Sequence, residues 1–162
     1  LSFTTGIDST YDEYEFRFIN LHPQTDNVNL TFQVNAVGGA DFDESIVSTY
    51  TDVYHGEASG SGSLAYLLAG DQVGTAYQWL IYGIGNDAYQ ACSGVLKLYA
   101  PSNTTYVKHF VTEVNGSYHT NLTMNAKVAG YINTTSAIDE ISFKFSSGNI
   151  DAGIIKMYGV IK

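Results

Sequence analysis

The densest group of chemically capable side chains is a run of three carboxylates, Asp41, Asp43 and Glu44. Carboxylate oxygens bind calcium, and an Asp-x-Asp pair occurs in many calcium-binding loops. The EF-hand spacing is absent here, because the sixth position of such a loop is not glycine and the twelfth is not glutamate. We interpret the segment as a solvated acidic loop, with a calcium site as the alternative.

The other side chains that could act as bases, nucleophiles or metal ligands are His22, His55, His109, His119 and Cys92. No His-x-His or His-Glu-x-x-His motif occurs, and no Gly-x-Ser-x-Gly elbow lies between a strand and a helix. His22 precedes Pro23 and is interpreted as a turn residue, whereas His109 alternates with Val107 and Val111 as on a strand. The lone cysteine cannot form an internal disulfide and is predicted to be a buried, inert thiol.

These observations assign no catalytic residue, no metal ligand and no cofactor, and they predict that the chain is not an enzyme. A small hydrolase is the chemical alternative. It would require a histidine within hydrogen-bond reach of a serine or a carboxylate in a cleft.

Apolar residues with a period of two run through most of the chain and predict antiparallel strands. Tyr14, Phe16 and Phe18 share one face of segment 13–20, and segment 29–35 repeats the pattern. Further strands are predicted at 77–82, 94–99, 105–114, 119–132, 141–145 and 153–161, with a weaker one at 46–54. These are about nine or ten strands, typical of one all-β domain over residues 1–162, an antiparallel, jelly-roll-like β-sandwich.

Glycine and asparagine residues separate these predicted strands. Turns are predicted at 38–39, 85–87, 101–103, 115–116 and 148–149, and a mobile loop at 56–63. Leu64, Leu67 and Leu68 have helical spacing, which predicts a short helix at 63–70. Residues 146–153 are interpreted as a structural connection in which Ile150 folds back onto the core, rather than as an ion or sugar site.

Composition excludes several partners. The formal net charge is −9, from sixteen carboxylates and seven bases, and no basic run occurs. This argues against nucleic acid and against an anionic membrane surface, because both are bound through clustered lysine and arginine. No apolar run is long enough for a membrane-spanning helix. Few lysines and prolines protect strand edges, so we expect neighbouring subunits to cover some of them.

Two features favour a carbohydrate-related function, and each has a simpler interpretation. Asn-x-Ser/Thr occurs five times, as glycosylation sites would, but a chain rich in these residues produces the pattern by chance. Exposed tyrosines and Trp79 could stack on sugar rings, although Trp79 lies in a strand-like run where burial is expected.

The chain resembles a family of virion structural proteins of tailed bacteriophages, especially marine ones. The segments that carry the resemblance are 11–23, 101–110, 129–139, 143–153 and 156–159, and together they extend it over nearly the whole chain. Residues 36–75 match no fixed motif of the family and are expected to be a variable, exposed region. Family members usually carry a short N-terminal extension, so an attachment segment before Leu1 is expected to be missing.

The resemblance implies a non-enzymatic, outward-facing β-sandwich module of a capsid decoration, a head fibre or a tail fibre. It implies no cofactor, and localisation in the virion after assembly in the bacterial cytoplasm. Other virion proteins and further copies of the chain, most simply as a homotrimer, are the expected partners, and a host surface glycan is a further candidate. The alternative function is a carbohydrate-binding module that acts in receptor binding, which predicts a concave cluster of exposed aromatics beside asparagine and aspartate.

Overall fold

The computed structural model describes residues 1–58, 60 and 62–161. Twelve antiparallel strands and one short 3-10 helix, Leu68–Gly70, form the described part of the fold. The strands are β1 Ser2–Phe3, β2 Glu13–Pro23, β3 Val28–Ala36, β4 Ile46–Gly56, β5 Gly62–Tyr66, β6 Val73–Gly74, β7 Gln78–Ile84, β8 Cys92–Tyr99, β9 Lys108–Tyr118, β10 Leu122–Ile132, β11 Ile138–Phe145 and β12 Ile150–Val160.

The strands make one curled sheet with two parts. The larger part has the order β12-β2-β8-β9-β10-β4, and both β5 and β6 pair with the outer side of β4. The smaller part has the order β1-β11-β3-β7. A single pair of residues, Ile84 of β7 and Tyr118 of β9, joins the two parts. The predicted all-β, antiparallel, jelly-roll-like sandwich is confirmed.

The two parts enclose one hydrophobic core. Phe143 of β11 packs its ring 5.4 Å from that of Phe16 and 5.2 Å from that of Phe18, both in β2. Phe32 of β3 packs 5.0 Å from Phe110 of β9. Within the larger part, β2 and β9 send alternate side chains into this core, which is the period-two pattern of the sequence.

Three sequence predictions are wrong in detail. His22 and Pro23 are not a turn, because both lie within β2. Asn115 and Gly116 are not a turn either, because β9 continues through them and the chain reverses after Tyr118, where Asn121 has φ 62°.

The predicted helix at 63–70 is instead β5 followed by the 3-10 turn. Leu64 and Leu68 both face solvent, so their spacing does not build a buried helical face. The predicted number of nine or ten strands is too low. It leaves out β1, β5 and β6, which are too short to show a period of two.

The expectation that residues 36–75 are exposed holds only for part of the segment. Within it, β4 is an inner strand of the larger sheet, and Ile46 and Tyr50 are fully buried. The predicted mobile loop at 56–63 includes Ser59 and Ser61, which lie outside the described residues. Across the ranges 1–58, 60 and 62–161, no helix has the length and apolarity needed to cross a membrane.

Candidate functional site

A polar groove of about 660 Å³ opens where β2, β12 and the β7–β8 loop meet. We call it the β2–β12 groove. Its polar lining consists of Asn20, His22, Asn86, Tyr89, Gln90 and Asp151, and small alanine side chains fill the rest. Amides, a carboxylate, an imidazole and a phenol thus face one concave surface, and the residues come from both ends of the chain and from its middle.

Two β-bulges shape one wall of the groove. Between Phe18 and Leu21, β2 has one more residue than its neighbour β8. The pairing of β2 with β12 also shifts there, and on β12 the extra residue is Asp151. A bulge leaves its extra residue outside the regular ladder and redirects its side chain. The irregular stretch of β2 and the bulge of β12 accordingly place Asn20 and Asp151 at the groove.

The backbone at this wall is held in an unusual conformation. Asn20 has φ 49°, in the left-handed region, and Gly153 has φ 109°. A Cβ on Gly153 would lie 2.5 Å from the backbone oxygen of Asn20, so only glycine fits. Asn20 is secured by Ser93, whose Oγ accepts from the Asn20 amide at 2.9 Å and donates to its side-chain oxygen at 3.2 Å. Such conformations persist only where the surrounding structure enforces them.

The opposite wall is the β7–β8 loop, which is anchored by the fully buried side chain of Gln90. Its Oε1 accepts from the Asp87 amide at 3.1 Å, and its Nε2 donates to the Tyr118 carbonyl at 3.3 Å. Asn86 ties the same loop to the chain before β3, since its Nδ2 donates to the Gln24 carbonyl at 3.2 Å. These bonds give the loop a defined shape.

Tyr89 projects from this anchored loop and is 64% exposed. Its hydroxyl donates to the side-chain oxygen of Asn121 at 2.8 Å, which fixes the ring while leaving much of it in solvent. The pKa of Tyr89 is raised, first by desolvation and then by the negative charges of Asp87 and Glu57. The hydroxyl therefore remains protonated at neutral pH and serves as a donor.

His22 occupies the floor of the groove. Its Nδ1 lies 3.5 Å from Asp151 Oδ2, which makes an ion pair when the imidazole is protonated, and its Nε2 lies 3.3 Å from the Asp87 carbonyl. At 3.5 Å the contact with Asp151 is too long for a good hydrogen bond, and Nδ1 is buried without a hydrogen-bond partner in the described structure. A histidine thus lies near a carboxylate in a cleft, as a hydrolase would require. However, the partners of its two ring nitrogens are a carboxylate and a carbonyl, and neither is a serine hydroxyl.

The other residues singled out by the sequence do not join this groove. Asp41 and Asp43 lie exposed in the loop before β4, and no group of three metal-ligating side chains occurs among the described residues. His55 and His109 face solvent on the larger sheet, and the ring of His119 packs 4.3 Å from that of Tyr118.

Cys92 and Trp79, both predicted to be buried, differ in how deeply they lie in the structure. Cys92 is buried, which confirms the prediction, and burial raises the pKa of its thiol to about 12. Trp79 is only half-buried, although it packs against the core as expected.

The segment 146–153 has a double role. Ile150 packs against the core as predicted, and Gly148 has φ 68° in the connection before β12. Asp151, however, lines the groove instead of only capping its own turn. The sequence contains no signal for the two bulges, so Asn20 was missed as a site residue. Tyr89 and Asn86 were missed because the β7–β8 loop meets β2 and β12 only in the folded chain.

A second depression, of about 410 Å³, lies on the outer face of the larger sheet. Short side chains of β4, β8, β9 and β10 form its floor, with Lys97 and Lys127 at the rim. Lys97 pairs with Glu13 at 3.0 Å and Lys127 with Glu113 at 3.5 Å. Because both lysines are already paired and the floor offers few polar groups, this surface is a weaker candidate than the β2–β12 groove.

No family model matches the chain, and neither does any curated protein or solved structure.

Proposed function

We propose that the chain is a non-enzymatic structural module of a bacteriophage virion that assembles with copies of itself. The observation that carries this proposal is the apolar character of both free edges of the larger sheet. The resemblance of five segments to phage virion proteins supports the choice of particle.

The first free edge is formed by β5, the 3-10 turn and β6, and we call it the β5–β6 edge. Leu68 is 75% exposed and Val73 is 85% exposed, and Leu64 and Tyr66 are also exposed. Neither β5 nor β6 contains a charged residue. Edge strands of soluble monomers usually carry lysine, proline or a covering loop, because an exposed apolar edge invites pairing with another chain.

The second free edge is β12, at the opposite side of the same sheet. Ile154, Tyr158 and Val160 are exposed on it, and Ile161 follows directly after the strand. Beyond the bulge, Lys156 is the one charged residue of this strand. Both edges therefore present apolar surface of the kind that marks protein contacts.

Two different edges on one sheet suit a head-to-tail contact, in which β12 of one copy meets the β5–β6 edge of the next. Such heterologous contacts generate closed rings when the rotation between copies closes. We propose a homotrimer, which is the smallest ring of this kind. Its module would face outward as a capsid decoration, a head fibre or a tail fibre and would contact other virion proteins.

The proposal that the chain is not an enzyme draws support from His22, the one histidine among the residues that line the β2–β12 groove. Its ring nitrogens face Asp151 and the Asp87 carbonyl, so no hydroxyl nucleophile is activated by it. The formal charge of −9 favours solubility of a protein at high density on a particle surface.

The proposal is tested by the mass of the chain in solution, measured by light scattering after size exclusion. We expect about three times the chain mass of 17.6 kDa. Leu68→Lys places a charge on the β5–β6 edge and should shift the mass towards one chain, because a buried unpaired charge is costly in an interface. Val37→Lys is the matched control, since Val37 is an exposed apolar residue of the β3–β4 connection and belongs to neither edge strand.

A monomer at the highest soluble concentration would contradict the assembly part of the proposal, as would an unchanged mass for Leu68→Lys. The virion part has its own test. Peptides of this chain should be found by mass spectrometry in purified particles of the phage whose genome encodes it, and their absence from such particles would overturn that part.

A further inference from the structure

We propose that the β2–β12 groove binds a neutral saccharide, with Tyr89 as the stacking surface and Asp151 and Asn86 as hydrogen-bonding groups. This goes beyond the proposed structural role and does not depend on it. The inference rests on the chemistry of the lining, on how firmly the walls are held and on the charge around the groove.

The lining offers the mixture of surfaces that a sugar presents. A pyranose has apolar C–H patches on its faces and hydroxyl groups around its rim, so its site needs an aromatic face beside polar groups. Tyr89 supplies an exposed ring that its bond to Asn121 holds in place. Asp151 supplies a carboxylate that can accept from two neighbouring hydroxyls, and its side chain is 62% exposed.

Several groups at the groove still have hydrogen-bonding capacity. The side-chain Nδ2 of Asn86 donates to the Gln24 carbonyl, which leaves the side-chain oxygen of Asn86 as an acceptor. The Tyr89 hydroxyl donates to Asn121, which leaves the lone pairs of the phenolic oxygen as acceptors.

The walls are already ordered before any ligand arrives. Gln90 and Asn86 fix the β7–β8 loop, and the conformations of Asn20 and Gly153 fix the opposite wall. A site whose side chains are held in place loses less conformational entropy on binding. Strand irregularities are enriched beside functional sites, and here they occur on two adjacent strands at one place.

The charge around the groove selects neutral ligands. Asp151 lines the groove. At the border of the groove, the Asp26 carboxylate accepts from the backbone amide of Asn86 at 3.2 Å. Asp87 is in the same loop, and His22 is the one basic side chain among the lining residues. Sulfated, phosphorylated or carboxylated sugars would be repelled by these carboxylates, whereas a neutral hexose would not.

The test is amide NMR of the isotopically labelled chain, titrated with a panel of neutral methyl hexosides and their oligosaccharides. Sialylated and phosphorylated sugars form the second arm of the panel. We expect at least one neutral sugar to shift the amide signals of the β7–β8 loop and of residues 20–22 and 151–153. The acidic sugars should leave these signals unchanged.

Substitutions then locate the binding. Tyr89→Ala should weaken the best neutral ligand by about tenfold or more, because the stacking surface is lost. Asp151→Asn should weaken it less, because the amide retains one acceptor oxygen. The matched control is Tyr106→Ala, since Tyr106 is a loop tyrosine that is 70% exposed and lies outside the groove.

The inference is overturned if no neutral sugar shifts the groove signals at millimolar concentration. It is equally overturned if acidic sugars bind better, or if Tyr106→Ala weakens binding while Tyr89→Ala does not. Each variant is also checked for its chain mass and its melting temperature. An unchanged mass with lost sugar binding would separate this inference from the proposed assembly.

Discussion

The larger sheet has a regular centre and an irregular end, and the two differ in what their backbone does. In the centre, β10 pairs with β9 and with β4 through eleven consecutive positions each, without a shift in register. At the end, β2 pairs with β8 and β12 through interrupted ladders, with φ 49° at Asn20. Regular pairing buries alternate side chains efficiently. Irregular pairing interrupts the ladder of backbone hydrogen bonds and directs side chains into a groove.

The side chains of the regular centre fill the core, whereas side chains of the irregular end line a groove. The centre supplies core residues such as Phe110 and Val128, which are almost fully buried. The end supplies Asn20, His22 and Asp151 to the groove. Substitutions in the two regions should therefore differ in how much they lower the free energy of unfolding and in which strands lose amide protection.

The largest expected effect is in the regular centre. Phe110→Ala removes a buried ring that packs against Phe32, and it should lower the free energy of unfolding by about 3–5 kcal/mol. Urea denaturation followed by tryptophan fluorescence of Trp79 measures the loss. Val111→Ala, one residue later on the solvent face of the same strand, should change it by less than about 1 kcal/mol. Equal losses for the two variants would remove the distinction between the faces of the centre.

The next effect is in the irregular end. Gly153→Ala should lower the free energy of unfolding by about 2–3 kcal/mol, because the new Cβ would meet backbone atoms of Asn20 and Leu21. Two causes contribute to this loss, the positive φ of Gly153 and the close contacts of the added Cβ. Gly38→Ala measures the first cause alone. Gly38 has φ 84° but nothing within 4 Å of the added carbon, so its cost should be about 1 kcal/mol, from backbone conformation alone.

Hydrogen exchange shows where in the sheet Gly153→Ala acts. In Gly153→Ala, the amides of β2 and β12 near the bulges should lose protection, while those of β9 and β10 keep theirs. A uniform loss of protection across the sheet would show that the irregular end does not open as a separate unit.

The smallest effect concerns Asp52, a buried carboxyl on β4 in the centre. Burial raises the pKa of Asp52 above its ordinary value of 3.8, and its Oδ2 has no hydrogen-bond partner among the described residues. The folded chain therefore holds this proton more tightly than the unfolded chain. Its contribution to the free energy of unfolding is largest at low pH and falls as the pH rises above 3.8.

Asp52→Asn removes this titration and should stabilise the protein by about 1 kcal/mol at neutral pH. The gain over the wild type should shrink as the pH is lowered towards 3.8, the ordinary pKa of the carboxyl. Denaturation at several pH values measures it, with Asp43→Asn as the exposed control. A gain that is independent of pH would contradict the assigned cause.

The period-two alternation made most of the long strands predictable, because each sends alternate side chains into one core. The alternation of Tyr14, Phe16 and Phe18 is of this kind, and all three are buried. Gly116 misled the prediction of a turn for a physical reason. Its place in β9 is set by close packing, since a Cβ there would lie 2.5 Å from Ile84 Cδ1. A glycine that is needed for packing and one that is needed for a turn are identical in a sequence.

The groove could not be predicted, because it depends on pairing between distant segments. Asp151 and His22 come from opposite ends of the chain and meet only because β12 pairs with β2. Bulges depend on how two strands register with one another, and a single strand carries no mark of them. The exposed leucines at 64 and 68 show the same limit, since their spacing alone does not say whether a partner covers them.

Cys92 lies at the boundary between the two regions, paired with Leu21 beside the bulge on one side and with Gly116 of β9 on the other. Its thiol is buried, so a labelling reagent reaches it only when the structure around it opens. The chain thus carries its own chemical reporter of transient opening at this boundary. A labelling rate faster than global unfolding allows would show that the irregular end detaches while the centre stays folded.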